Sequence, residues 1–247
     1  MDALQLLALF GIGAVAGLIN VMAGGGSALT LPVLIFFGLE GTVANGTNRI
    51  AIFVQNIFAV QSFHQQKKRD FRTSLSMAIW TLPGGIAGVI LAVNISNAWF
   101  EYILGIVLIG VVISMIAAPG VRRSAERSTL PRWLIYPAMF LIGFYGGFIQ
   151  VGVGFLIMAA LFHILKTDLV SVNMHKVFIV LVYTLPVLAI FVYTGNVDWA
   201  KGLALAAGNS FGGWWSARLA VRKGERLVRI VLFVAIVLMA LRLLDIL

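Results

Sequence analysis

The chain has 247 residues, of which 61% are hydrophobic and only 11% are charged. Soluble domains carry roughly 25% charged residues, so this composition excludes a soluble globular fold and predicts a membrane protein whose partner is the lipid bilayer. The net charge of +9 would suggest nucleic-acid binding in a soluble protein. Here the basic residues lie in short loops, where orientation in the membrane accounts for them, and we expect no nucleic-acid partner.

Eight apolar segments follow one another along the chain, each long enough to cross a bilayer. They cover residues 3–38, 43–63, 71–93 and 98–118, and then 133–165, 171–194, 199–220 and 227–247. A polar stretch separates the fourth segment from the fifth. We therefore predict a first transmembrane repeat over 1–118, a basic cytoplasmic linker over 119–132 and a second transmembrane repeat over 133–247.

The two halves match each other without gaps at an offset of 128 residues. This match places Gly24 on Gly152, Gly26 on Gly154 and Asn45 on Asn173. Each single identity is weak in a sequence rich in glycine and alanine, but their shared order favours an internal duplication. Duplications of this kind are common in secondary transporters.

Basic residues predict how the halves are oriented. Most Lys and Arg residues lie in three clusters, at 67–72, 122–132 and 218–229, and the positive-inside rule puts all three in the cytoplasm. Tracing the segments under that constraint gives corresponding elements opposite directions. The prediction is an inverted repeat with both termini external.

The first segment of each half is too long for a single helix across a core of roughly 30 Å. Gly24, Gly25 and Gly26 interrupt the first of these segments, and Gly152 and Gly154 interrupt the other. We predict that each folds as a re-entrant-like helical hairpin, followed by three transmembrane helices. The fold class is then an all-α polytopic membrane protein. Paired, glycine-interrupted segments also indicate the binding site of a transporter.

The glycines at 24–26 suggest an anion site. Glycine lets the backbone approach a ligand closely, and we predict that Ser27 caps a short helix that runs to about Phe37. The free N–H groups at the start of such a helix attract an anion. The alternative is that these glycines serve only close helix packing, which is common in membrane proteins.

Polar residues at the start of the second segment of each half are further candidates. In the first half these are Thr47, Asn48 and Arg49, and in the second half Asn173, His175 and Lys176. Ionisable groups within membrane segments are usually functional; the alternative is that Arg49 and Lys176 extend to the nearest membrane surface.

Asn20 and Gln150 join the candidates because each closely precedes a glycine break. The full set of candidate substrate-binding residues is Asn20, Gly24, Gly25, Gly26, Ser27, Thr47, Asn48, Arg49, Gln150, Gly152, Gly154, Asn173, His175 and Lys176. The chain has no cysteine and only three scattered histidines, so we expect no catalytic residue, metal or other cofactor.

Several of these motifs resemble the TauE/SafE sulfite exporter family, also called the TSUP transporters. The motifs are residues 16–17 with 24–26 and Pro32, the stretch 44–49, the stretch 143–148 with 152–154, residues 196–199 and residues 218–224. The resemblance covers essentially the whole chain. It implies a protein of the bacterial cytoplasmic (inner) membrane that exports sulfite, sulfonates or related sulfur-containing anions without ATP hydrolysis.

The residues and the resemblance together predict a secondary transporter that exports a small sulfur-containing anion by alternating access. In that mechanism Lys176 and Arg49 would neutralise the anion, and His175 would be the candidate for proton coupling. The alternatives are an anion channel, an uptake transporter for another small organic anion, a membrane-embedded enzyme and a non-transporting assembly subunit. The sequence is also compatible with proton coupling and with a homodimer.

Overall fold

The computed structural model describes residues 3–67, 70–117, 131–165 and 168–223, and the regular structure in these ranges is helical throughout. The predicted segment 227–247 and nearly all of the predicted linker lie outside the described residues. The helices are α1 (Ala3–Met22), α2 (Ser27–Phe36), α3 (Gly41–Gln65), α4 (Phe71–Asn94), α5 (Asn97–Ala117), a short 3-10 turn (Arg132–Leu134), α6 (Ile135–Phe148), α7 (Val153–Leu165), α8 (Leu169–Tyr193) and α9 (Trp199–Lys223).

Three helices in the described part of the chain, α1, α4 and α8, are long and apolar enough to cross a membrane. The shorter apolar helices α2, α6 and α7 have 10, 14 and 13 residues. At 1.5 Å per residue these are shorter than the roughly 30 Å hydrocarbon core of a bilayer. The described fold is that of a helical membrane protein.

Both predicted glycine interruptions separate two helices. After α1 the chain turns back, so that Gly26 lies against the backbone of Ala16 and the side chain of Asn20. After α6 it turns back again, and Val153 lies against Gly146. We call residues 23–26 the first break and residues 149–152 the second break.

The start of α2 differs from the prediction for Ser27. The N-cap of α2 is Gly26, which provides no side-chain hydrogen bond, and Ser27 is the first helical residue. The prediction that Ser27 caps this helix was therefore wrong. Its hydroxyl instead accepts a hydrogen bond from the side chain of Asn48, at 3.3 Å between Oγ and Nδ2.

The helix bounds of the two halves correspond at two different offsets. α3 and α8 begin at 41 and 169, and α4 and α9 at 71 and 199, an offset of 128 in each case. α1 and α6 end at 22 and 148, and α2 and α7 begin at 27 and 153, an offset of 126. The ungapped match thus fits the later helices, whereas the broken helices are shifted by two residues.

The helices pack as two groups. The first block contains α1, α2, α3, α5 and α9, and the second block contains α4, α6, α7 and α8. Close glycine contacts hold the tightest pair in each: Gly208 and Gly212 of α9 lie against Phe10 and Ala14 of α1, and Gly84 and Gly88 of α4 against Phe140 and Phe144 of α6. The blocks are joined mainly where α3 packs against α8, with a smaller contact between α1 and α8.

The long helices of each block run in the same direction, namely α1, α3 and α9 in the first block and α4, α6 and α8 in the second. By contrast, α3 and α8 run in opposite directions. Gly46, near the start of α3, lies against Phe191, near the end of α8. Phe63, near the end of α3, shares a cluster with Met174, near the start of α8. The two blocks therefore lie antiparallel along their shared interface.

The C-terminal ends of α3 and α9 lie side by side. The Gln66 side chain donates to the Ala217 carbonyl, at 3.4 Å. Two of the basic groups used in the orientation argument, at Lys67 and Arg218, are consequently on the same side of the molecule.

Candidate functional site

The first break crosses the start of α7, which directly follows the second break. A Cβ added to Gly24 would overlap the backbone of Gly154, and one added to Gly154 would overlap the backbone of Gly24. Gly24 also has a φ of +89°, a conformation that favours glycine. Both features require glycine at this crossing, so Gly24 and Gly154 allow the two backbones to pack closely.

A small polar cavity lies beside this crossing. It has a volume of about 10 Å³, and its lining comes from α1, α3, α7, α8 and the second break: Asn20, Asn56, Gln150, Val153, Gly154, Lys176 and Val180. A space of this size holds about one water molecule. Four of the sequence-predicted site residues therefore border one cavity, which is smaller than an oxyanion in this conformation.

Lys176 binds the C-terminal end of α1. Its ammonium donates to the carbonyls of Asn20 (3.0 Å) and Val21 (2.6 Å) and to the Asn173 side chain (2.9 Å). The Asn173 amide donates in turn to the Met22 carbonyl, at 3.3 Å. Three oxygen acceptors match the three N–H bonds of an ammonium group, and a cation is favourable at the negative end of a helix.

Arg49 binds the C-terminal end of α6 in the same way. Its guanidinium donates to the Gly147 carbonyl (3.0 Å), to the Asn45 side chain (3.5 Å) and to the Gln150 side chain. The Asn45 amide donates to the Phe148 carbonyl, at 2.8 Å. Each cation, together with the asparagine one helical turn before it, thus caps a broken helix of the opposite block.

The two caps correspond almost atom for atom. At the offset of 126, Val21 and Met22 correspond to Gly147 and Phe148, which are the carbonyls bound in each half. We name them the Lys176 cap (Asn173 and Lys176 on the end of α1) and the Arg49 cap (Asn45 and Arg49 on the end of α6). In the described part of the chain, the hydrogen bonds that join helices of the two blocks come from these four side chains.

Neither cation extends to a membrane surface. Arg49 is fully buried and Lys176 is 2% exposed, so the alternative in which they reach the nearest interface was wrong. Their charges are placed inside the protein, against helix ends.

The start of α2 forms a third polar region next to the first break. Asn48 accepts from Thr30 at 2.7 Å and donates to Ser27, which fixes the first turn of α2. Among the described residues, no acceptor lies within hydrogen-bonding distance of the backbone N–H groups of Gly25, Gly26 and Ser27. These groups retain the capacity to bind an anion.

Two candidate residues lie elsewhere. Thr47 accepts a hydrogen bond from the backbone of Asp198, at 2.9 Å, in the loop between α8 and α9. His175 bonds to Ser74 on α4, with 2.8 Å between Nδ1 and Oγ. Although His175 is next to Lys176 in sequence, it faces the interior of the second block and not the cavity.

Four residues that the sequence-predicted set omitted also take part. Asn56 borders the cavity, and Asn45 belongs to the Arg49 cap. Tyr183 donates to the Gln150 side chain at 3.1 Å, and Gln55 accepts from Asn20 at 3.3 Å. The repeat held one usable signal, because Asn45 is the counterpart of the candidate Asn173.

Comparison with known proteins adds independent findings. The family model described as sulfite exporter TauE/SafE matches residues 9–243. A probable membrane transporter protein of Haemophilus influenzae is 27% identical over 92% of this chain and 89% of its own length. The probable membrane transporter protein YfcA of Escherichia coli K12 is 27% identical over 98% and 90%, and YjnA of Bacillus subtilis is 28% identical over 96% and 97%. No solved structure matches.

Proposed function

Because the chain belongs to the sulfite exporter TauE/SafE family, we propose that it exports a small sulfur-containing anion across the cytoplasmic membrane. Its relatives are named as membrane transporters, and it is a multi-pass membrane protein of the transporter type. The finer proposal, export of an anion such as sulfite or a sulfonate by alternating access, draws its support from the buried charges.

The observation that carries the anion assignment is Lys176 at the cavity. Among the described residues, the cavity lining contains a cation and three amide side chains but no carboxylate. The unbonded N–H groups that start α2 add donors nearby. Gln55, which holds Asn20, has a buried amide nitrogen without an acceptor in the described residues. Buried donors normally have partners, and an anion would supply them.

We propose different roles for the two cations in this site. Lys176 borders the cavity and would meet the anion. Arg49 does not line the cavity; it holds Gln150, which does. Arg49 is therefore a positioning residue for Gln150.

Alternating access would involve two inverted halves, and the opposite directions of α3 and α8 support that arrangement. The membrane potential, negative inside, favours anion export by about 2.3 kcal/mol per charge per 100 mV. This free energy corresponds to an anion concentration ratio of roughly forty- to fifty-fold across the membrane, so export would need no coupled ion.

The test is anion flux into proteoliposomes with an imposed potential, using sulfite, sulfoacetate and sulfate. We expect saturable flux of at least one sulfur anion, and a loss of about 100-fold or more when Lys176→Gln removes the charge at the cavity. Gly105→Ala serves as the control, because a methyl group there has no atom within 4 Å. An absence of saturable flux for all three anions would reject the substrate class, and full activity of Lys176→Gln would reject the site.

A further inference from the structure

Lys176 belongs to two features of the structure. It extends from α8 of the second block to the end of α1 in the first block, and it also borders the small cavity. Its three N–H bonds are already used by two carbonyls and by Asn173. An anion that enters the cavity can therefore bind Lys176 directly only if it replaces one of these acceptors.

We propose that Lys176 is an exchangeable clamp between the two blocks. The incoming anion takes over the hydrogen bonds that the ammonium gives to Asn20 and Val21, and the end of α1 is then released from α8. The anion does not simply fill a preformed site; it replaces the carbonyls that hold the site closed. This inference rests on the proposed function, since it needs an anionic substrate.

Hydrogen-bond strength favours the exchange. A bond between two charged groups is stronger than one from a cation to a neutral carbonyl, so the ammonium loses nothing when an oxyanion replaces a carbonyl. The released carbonyls face the enlarging cavity, where water satisfies them. Opening without an anion would leave the ammonium without its acceptors inside the protein, which is costly. Binding of an anion in the cavity is thus linked to separation of the two blocks.

The Arg49 cap does not share this property. Arg49 does not line the cavity and bonds to Gln150, Gly147 and Asn45. An anion in the cavity meets Gln150 before it meets Arg49. The Arg49 cap therefore stays closed while the Lys176 cap opens, and the second break serves as the fixed side of the motion.

The test is hydrogen exchange, read by mass spectrometry, of the full chain in nanodiscs. The peptide 18–26 reports on the end of α1, where Ala23 and Gly24 donate to the Ile19 carbonyl, and the peptide 143–152 reports on the end of α6. Without substrate, Lys176→Gln should speed exchange in 18–26 roughly ten-fold, since one charge-assisted hydrogen bond is worth at least that factor. Exchange in 143–152 should change less than about two-fold.

Two further variants separate a local clamp from a general loss of stability. Arg49→Gln should reverse the pattern and speed exchange in 143–152. Lys201→Gln makes the same chemical change at a lysine paired with Asp198, at 2.9 Å, and should leave both peptides unchanged. Equal exchange of 18–26 in the parent and in Lys176→Gln would overturn the clamp, as would equal acceleration of both peptides.

Sulfite tests the exchange step without any substitution. Saturating sulfite should speed exchange of 18–26 in the parent chain and have no further effect in Lys176→Gln. Sulfite flux without this acceleration would overturn the exchange and leave the proposed function intact. If sulfite gives neither flux nor acceleration while Lys176→Gln still speeds 18–26, the proposed substrate fails and the clamp is supported in its substrate-free form.

Discussion

The ends of α1 and α6 are held by the same chemistry in different surroundings. An asparagine and a cation cap each end, and both cations are buried. Lys176, however, borders a cavity, whereas Arg49 is enclosed by protein groups and has its guanidinium 5.8 Å from the centre of the Phe191 ring. The lysine ammonium can exchange partners by rotation, and the planar guanidinium suits a fixed set of acceptors. Equivalent positions in a repeated structure thus need not have equivalent functions.

The breaks themselves differ in a related way. In the first break Gly24 has a positive φ and follows the end of α1 by two residues, whereas in the second break Gly152 has a φ of +71° and immediately precedes α7. The backbone of Ile149 is extended, and the next residue, Gln150, borders the cavity. The first break thus offers backbone N–H groups to the proposed anion site, and the second break offers the side chain of Gln150.

The largest effect should come from the point where the first break touches the start of α7. Gly154→Ala places a methyl group on the backbone of Gly24, which cannot move aside as a side chain would. We expect a loss of stability of about 3 kcal/mol or more, seen as little folded protein in size-exclusion chromatography. Gly105→Ala is the matched control. Normal folding of Gly154→Ala would show that the crossing is looser than the structure indicates.

The next effect compares the two cations directly. Arg49→Gln leaves the Gly147 carbonyl and Gln150 without their charged partner away from the cavity, so we expect a loss of about 2–3 kcal/mol. Lys176→Gln leaves its carbonyls beside a cavity with room for about one water molecule, so we expect a loss of only about 1–2 kcal/mol. The apparent melting temperature in detergent should fall by roughly 10 °C for Arg49→Gln and by less than about 5 °C for Lys176→Gln. The reverse order would contradict the assignment of Arg49 as the fixed cap.

The asparagines should give smaller and more equal effects. Asn45→Ala and Asn173→Ala each remove one amide bond to the last carbonyl of a broken helix. We expect each to cost about 1–2 kcal/mol, measured as the same shift in melting temperature within a few degrees. A much larger loss of stability from Asn173→Ala than from Asn45→Ala would mean that the Lys176 cap contributes more to stability than the Arg49 cap.

Several features of the fold could be predicted from sequence because residue type determines them. The glycines at 24–26 and those at 152 and 154 predicted both helix breaks, since glycine tolerates turns and close contacts that other residues do not. The starts of α3 and α8 lie within two residues of the predicted segments. The two-residue shift in the broken helices was missed because identities among glycines do not distinguish neighbouring offsets.

The partners of the buried cations could not be predicted in this way. Lys176 bonds to two backbone carbonyls and Arg49 to one. Every residue has a backbone carbonyl, so these partners leave no trace in the sequence. Of the candidate residues, the structure places both cations, Asn20 and Gln150 near the breaks. It also included Thr47 and His175, which share a helix with the site but face other neighbours, because the direction of a side chain around a helix depends on packing.

The smallest effect should come from Tyr183, and it tests how firmly Gln150 is held. Its hydroxyl donates to the Gln150 side chain at 3.1 Å, but Arg49 donates to the same oxygen. Tyr183→Phe therefore leaves Gln150 with its charged partner, and we expect a loss of about 0.5–1.5 kcal/mol with flux reduced by less than about ten-fold. Tyr102→Phe, at a side chain that is 63% exposed, is the control. If Tyr183→Phe proved as harmful as Arg49→Gln, then Gln150 would depend on the tyrosine, and the Arg49 cap would serve the end of α6 alone.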